Sequence, residues 1–202
     1  MHFDLQTLIK TFGYPLVWSI VFAESGLLVG FLLPGDSLLF VAGFICSLNT
    51  GLDIRVMAFG CFVFAVLGDS VGYYTGKRFG RKLFDKEDSK FFKKKHLMAA
   101  EEFFERQGKT AIILARFMPF IRTFAPIVAG IAAMRYQTFM QYNVVGGFVW
   151  AIGLTALGYF LGRSIPPEQI DQYLIPITLG IMFISLAPSI FHILKAQQRT
   201  KN

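Results

Sequence analysis

Five ionisable residues, Glu24, Asp36, Asp69, Arg116 and Arg122, stand inside stretches of the chain that are otherwise apolar. Arg116 and Arg122 flank Pro119, three residues to either side. Two guanidiniums placed in this way can grip one phosphate or carboxylate bidentately. A carboxylate opposite them, Glu24 or Asp36, could carry a proton, and its protonation would release an arginine to take another anion. That chemistry is anion binding coupled to protons rather than bond-making. No catalytic residue is assigned: the chain has no HxxxD-type His partner and no G-x-S-x-G. His2, His96 and His192 match no metal spacing, and no GxxxxGK[ST] loop is present, so neither a metal nor a nucleotide cofactor is expected.

The solvent around these charges follows from composition. Of 202 residues, 54% belong to the hydrophobic set, 23 are Phe and only 16% are charged, and mean hydropathy is +0.51. A soluble globule of this size has too much surface for so few charges, which implies an integral membrane protein. An Asp or Arg at the centre of a membrane helix costs roughly 2.5–3.5 kcal/mol. Five unpaired ones would cost on the order of 10 kcal/mol or more, comparable with a whole fold's stability. They must pair, line a wet cavity, or both. Packing through buried ion pairs alone is the plainer alternative, and intramembrane charges are functional by default.

The elements that must position them are apolar segments of two kinds. Residues 54–76, 139–162 and 173–194 are each about as long as a spanning helix requires, roughly 20 residues. The segments 14–48 and 111–134 are interrupted, the first by Pro34, Gly35 and Asp36, the second by Arg116, Pro119, Arg122 and Pro126. Pro34, Gly35, Pro119 and Pro126 are read as the hairpin breakers, because short apolar runs broken by Pro or Gly suit re-entrant hairpins.

An internal repeat organises these pieces. Val41-Ala42-Gly43 recurs as Val128-Ala129-Gly130, Gly72-Tyr73 as Gly158-Tyr159, and Pro34 as Pro119, at offsets of 87, 86 and 85. Repeat 1 is residues 14–76 and repeat 2 residues 111–163, each a hairpin plus one crossing, and an odd number of crossings forces the second copy upside down. The predicted fold is therefore an all-α integral membrane protein, a single membrane domain over 1–202, with two inverted repeats and an extra C-terminal transmembrane helix at 173–194. Between the repeats lies a basic, amphipathic linker, 77–110. Eleven of the 20 Lys and Arg fall within 77–109, which places it on the cytoplasmic side and the C-terminus with it. A nucleic-acid partner is not expected from this block. The two cysteines, Cys46 and Cys61, lie in apolar runs and form no CxxC pair. No cleavable signal peptide is read from the first residues.

Asp69 lies in a stripe of glycines, Gly68, Gly72, Gly76 and Gly80, spaced by four. Such stripes let helices approach closely, so Asp69 either bonds across that interface or belongs to a proton path. The glycines permit a homo-oligomer and, equally, packing within one chain. Tyr73, Tyr74, Tyr159, Phe160 and Trp150 read as core or interfacial aromatics without a ligand role, and Asn143 as polar glue in its helix.

Taken in order, Phe22-Ala23-Glu24-Ser25-Gly26, Phe31-Leu32-Leu33-Pro34-Gly35-Asp36, Gly68-Asp69-Ser70-Val71-Gly72-Tyr73 and the Arg116-to-Gly130 block with Pro119, Arg122 and Pro126 resemble the DedA family of bacterial inner-membrane proteins. The family shares its VTT (SNARE-associated) domain with eukaryotic lipid scramblases, and the resemblance runs from about residue 12 to 165. It implies movement of phospholipids or undecaprenyl phosphate between leaflets, dependence on the proton-motive force, and a multi-pass place in the bacterial inner membrane. It also implies that Glu24 and Asp36 form the family's acidic pair and that Arg116 and Arg122 are its essential arginines.

The resulting expectation is a proton-coupled flippase for a phosphate-bearing lipid, with Arg116 and Arg122 on the phosphate and Glu24 and Asp36 carrying protons. The alternative is a proton-coupled exchanger of small ions that maintains membrane homeostasis. A lipid phosphatase or a passive scaffold fits the residues less well. The identity of the lipid is not written in these motifs.

Overall fold

The computed structural model describes residues 5–27, 35–48, 50–79 and 108–165. The linker over 80–107 and the expected C-terminal helix at 173–194 lie outside them, as does Pro34. All regular structure among the described residues is helical.

Helix α1 is Leu5–Gly26 and α2 is Gly35–Ser47. Helix α3, Ile54–Phe79, follows after a short turn. Gly108, at φ +58, opens a 3-10 turn, Gly108–Thr110, that leads into the five-residue α4, Ala111–Ala115. Helix α5 is Pro119–Ile131. The last described helix, α6, runs from Tyr136 to Ser164 with a π-helical segment, Phe148–Ile152, in its middle. Two of these, α3 and α6, are long and apolar enough to cross a membrane, whereas α2 and the body of α5 are shorter apolar helices.

The two interrupted segments are thus pairs of helices. The first breaks between Gly26 and Gly35, where α2 begins with Gly35 and Asp36 in its first turn. The second breaks at 116–118. Pro119 then starts α5, where a missing N–H costs nothing and φ is already set. Pro126 corrects the sequence-based expectation, because it breaks nothing. It sits inside α5, which continues to Ile131. The helix tolerates it because α5 is packed against α3, where Gly72 leaves room for the proline ring: a Cβ at Gly72 would lie 3.2 Å from Pro126 Cβ. Neighbouring helices offset the lost backbone bond in this way in membrane proteins.

The packing partners are exchanged between the two halves. Helix α2 lies along the C-terminal part of α6, and α5 lies along α3. Both contacts are made backbone to backbone through glycines. A methyl group at Gly43 would overlap the Thr155 carbonyl, and one at Gly158 the Phe40 carbonyl. On the other side, Gly76 abuts the Ile127 carbonyl and Gly130 the Tyr73 carbonyl. Within each half, α1 rests on α3, where a Cβ at Gly26 would come 2.9 Å from Gly68 O, and α4 rests on the start of α6. The glycine stripes therefore serve contacts inside the chain. The outward faces of α3 and α6 carry Phe59, Leu67, Val71, Phe148, Val149, Leu157 and Phe160, all exposed. So large an apolar exterior suits lipid as solvent.

Candidate functional site

The five charges meet in the interior. Glu24 has no exposed surface, and Asp69, Arg116 and Arg122 are buried. Arg122 sits in the first turn of α5, where its N–H donates to Met118 O at 2.9 Å. Its Nη1 donates to Asp36 Oδ1 at 2.6 Å and its Nη2 to Glu24 Oε1. One guanidinium edge thereby ties the end of α1 to the start of α2, across the break between them. The Glu24 carboxylate lies directly over Gly35, where any Cβ would overlap it, so a larger residue at the start of α2 would require that carboxylate to move.

Arg116 stands at the C-terminal end of α4, where the second segment breaks. Its Nη2 donates to Asp69 Oδ2 on α3 and, at 2.5 Å, to Asn143 Oδ1 on α6. Asn143 in turn donates through Nδ2 to Val66 O at 3.2 Å. Two glycines on α6 form the wall behind this guanidinium: a Cβ at Gly147 would come 3.3 Å from Nη2, and one at Gly146 3.1 Å from Cδ.

Trp150, buried in the π segment, lies between the two arginines. Its Nε1–H donates to Asp36 Oδ1 at 2.7 Å. Its ring centre is 4.9 Å from Arg122 Cζ and 5.7 Å from Arg116 Cζ, both within cation–π range. Asp36 Oδ1 thus accepts from an arginine and from an indole at once.

Three carboxyl groups meet two guanidiniums, so the cluster holds one acid more than its arginines balance. The Nε–H of each arginine and the Thr123 hydroxyl are buried without a hydrogen-bond partner among the described residues. Buried donors of this kind are uncommon and demand an account. The side edge of each guanidinium, Nε with one Nη, is the geometry that takes an oxyanion bidentately. Among the described residues, no group of three His, Cys, Asp or Glu is placed to hold a metal ion.

Each residue singled out from sequence can now be placed. Glu24, Asp36 and Arg122 form one group, and Asp69 and Arg116 a second. Asp69, read from sequence as either packing or proton path, is the direct partner of Arg116. Asn143 bonds between helices, to Arg116 and to α3. Sequence reasoning missed Trp150 and the pair Gly146-Gly147. An indole inside an apolar run looks like core, although two adjacent glycines four and three residues before a tryptophan are a signal of a backbone that must admit something large.

Comparisons with known proteins agree with this picture. The VTT domain matches residues 33–160. The Escherichia coli (strain K12) protein DedA is 41% identical over 201 residues, covering 96% of this chain and 90% of that one. An uncharacterized membrane protein of Mycobacterium leprae is 45% identical over 189 residues, covering 92% and 83%. One from Mycobacterium bovis is 38% identical over 167 residues, covering 80% and 76%. No solved structure matches. The described charge cluster falls within the matched domain except for Glu24, which the match to DedA covers. The chain is a membrane protein of the DedA family, built around a VTT domain.

Proposed function

We propose that this protein moves a phosphate-bearing lipid, undecaprenyl phosphate or a phospholipid, between the leaflets of the bacterial inner membrane, with protons as the coupling ion. The observation that carries this reading is the pairing of two buried arginines with three carboxylates, two of which, Glu24 and Asp36, stand where helices end and begin. A lipid phosphate offers the same oxyanion geometry as a carboxylate and can replace it on an arginine fork. Protonated Glu24 or Asp36 no longer competes for Arg122, so proton uptake and phosphate capture go together. Release of the proton restores the carboxylate–arginine pair and expels the phosphate. The acyl or prenyl chain stays in hydrocarbon throughout.

The two halves are read as inverted repeats, each a re-entrant hairpin and a crossing. The exchanged packing of α2 on α6 and α5 on α3 supports this, since a two-fold relation produces reciprocal contacts. So does the ion pair of Asp36 with Arg122, which are 86 residues apart, the offset of the repeat itself. Such a pair joins equivalent positions and belongs near the axis relating the halves. The basic linker supports a cytoplasmic C-terminus.

The test is leaflet-specific transport by purified protein in vesicles, with undecaprenyl phosphate and with common phospholipids, at two opposed pH gradients. The expected result is translocation of a phosphate lipid whose rate follows the gradient, abolished by Arg122→Ala. Proton flux driven by the gradient in vesicles without any such lipid, together with no lipid movement, would establish a small-ion exchanger instead.

A further inference from the structure

The stretch Gly146-Gly147-Phe148-Val149-Trp150 places an indole where an apolar run would ordinarily put core packing. Trp150 is part of the buried apolar cluster that includes Val21, Leu39 and Met57, yet it also has polar neighbours. Its N–H, a donor with no acceptor capacity, is spent on Asp36, and its face is shared by Arg122 and Arg116. Trp150 thus meets both arginines and the Asp36 carboxylate. The backbone that carries it is also unusual: α6 widens to π geometry over Phe148–Ile152. Single π turns of this kind are rare and cluster at functional sites.

The consequence is mechanical and electrostatic. Two guanidiniums near one another repel, and the electron-rich face of an indole offsets that repulsion. Asp36 Oδ1 is held simultaneously by Nε1–H and by Arg122 Nη1, so a carboxylate that leaves Arg122 carries the indole edge with it. Turning the indole changes what the Arg116 guanidinium rests on. We propose that Trp150 is a positioning residue that couples the two arginine sites, so that loss of Asp36 from Arg122 loosens Arg116 from Asp69. The coupling needs no ligand; its use in transport rests on the phosphate-lipid reading above.

The chain has two tryptophans, and Trp18 lies apart from the cluster, stacked on Phe64 with its N–H on Met57 O. In Trp18→Phe protein, Trp150 is therefore the sole indole reporter. Asp69→Asn, which alters a residue bonded to Arg116, is expected to shift Trp150 emission. That shift should change at least about 3-fold when Asp36→Asn is also present, because contacting sites are non-additive. Additive shifts would overturn the coupling.

In vesicles, Trp150→Phe keeps a ring face and removes the N–H, so the saturated transport rate per folded molecule should fall about 10-fold, the weight of a hydrogen bond to a charged group. Trp150→Leu removes both and should cost about 100-fold or more. If both variants change only thermal midpoint and the yield of folded protein, with transport per folded molecule intact, Trp150 merely packs and the proposal fails. Should the wild type move no phosphate lipid, the functional reading fails alone, and the emission experiment still decides the coupling.

Discussion

Arg122 and Arg116 are both buried and both rest on Trp150, yet they are held in opposite ways. Arg122 is outnumbered: Glu24 and Asp36 take both ends of its fork, and the Asp36 side chain is 16% exposed, more than any other charged group in the cluster. Arg116 is balanced by a single acid, Asp69, with a neutral amide beside it and a glycine wall behind. A site with surplus negative charge and one accessible carboxylate suits exchange of protons and anions. A site that is neutral and closed suits a contact that responds to its neighbour instead of exchanging ions itself. The comparison teaches that two arginines spaced evenly around a proline are not interchangeable. Their partners, rather than their spacing, divide the work.

The sharpest way to break that contrast is to remove each arginine. Arg122→Ala leaves two carboxylates facing each other with no counter-charge. Breaking a buried pair costs about 3–5 kcal/mol, so the thermal midpoint in detergent should drop further than for Arg116→Ala, which strands one. An equal or larger loss for Arg116→Ala would reverse the assignment. A smaller effect separates Arg122→Lys from Arg116→Lys. One ammonium cannot reproduce a fork spanning carboxylates from two helices, at a cost of roughly 1–3 kcal/mol, whereas Arg116 uses one nitrogen for both its bonds and should tolerate lysine better in the same transport assay. The smallest difference is expected from two alanines. Gly35→Ala must push the Glu24 carboxylate off Arg122, while Gly147→Ala needs a shift of only a few tenths of an ångström at Arg116. Transport should fall markedly in the first and by less than about 1 kcal/mol equivalent in the second; matched losses would show that the two walls are equally tight.

The charges and the long apolar helices were legible in the sequence because both are one-dimensional signals: a charge in an apolar run is visible without knowing its neighbours. Partner choice was not. Asp69 and Arg116 are 47 residues apart and meet only because α4 and α3 both pack against α6. Pro126 misled because a proline's local rule was overruled by α3, whose Gly72 gives it room. Trp150 was hidden by its type, since a count of hydrophobic residues includes tryptophan and is blind to the one N–H that decides its place here. The helix ends also moved: α6 starts at Tyr136, ahead of the purely apolar run, as Arg135 is still extended and polar residues after it are free to be helical.

The ion pair between Asp36 and Arg122 has a consequence for how the chain is made. Asp36 leaves the ribosome 86 residues ahead of the arginine that neutralises it, and Glu24 98 residues ahead. At synthesis rates of about 5–20 residues per second, α1 and α2 wait on the order of ten seconds with two acids and without the arginine that neutralises them. Each acid costs about 2.5–3.5 kcal/mol in hydrocarbon while unpaired. These two helices must therefore stay at the membrane surface, or enter protonated, until the second half arrives. Insertion of the amino-terminal half is a commitment that only the carboxy-terminal half completes.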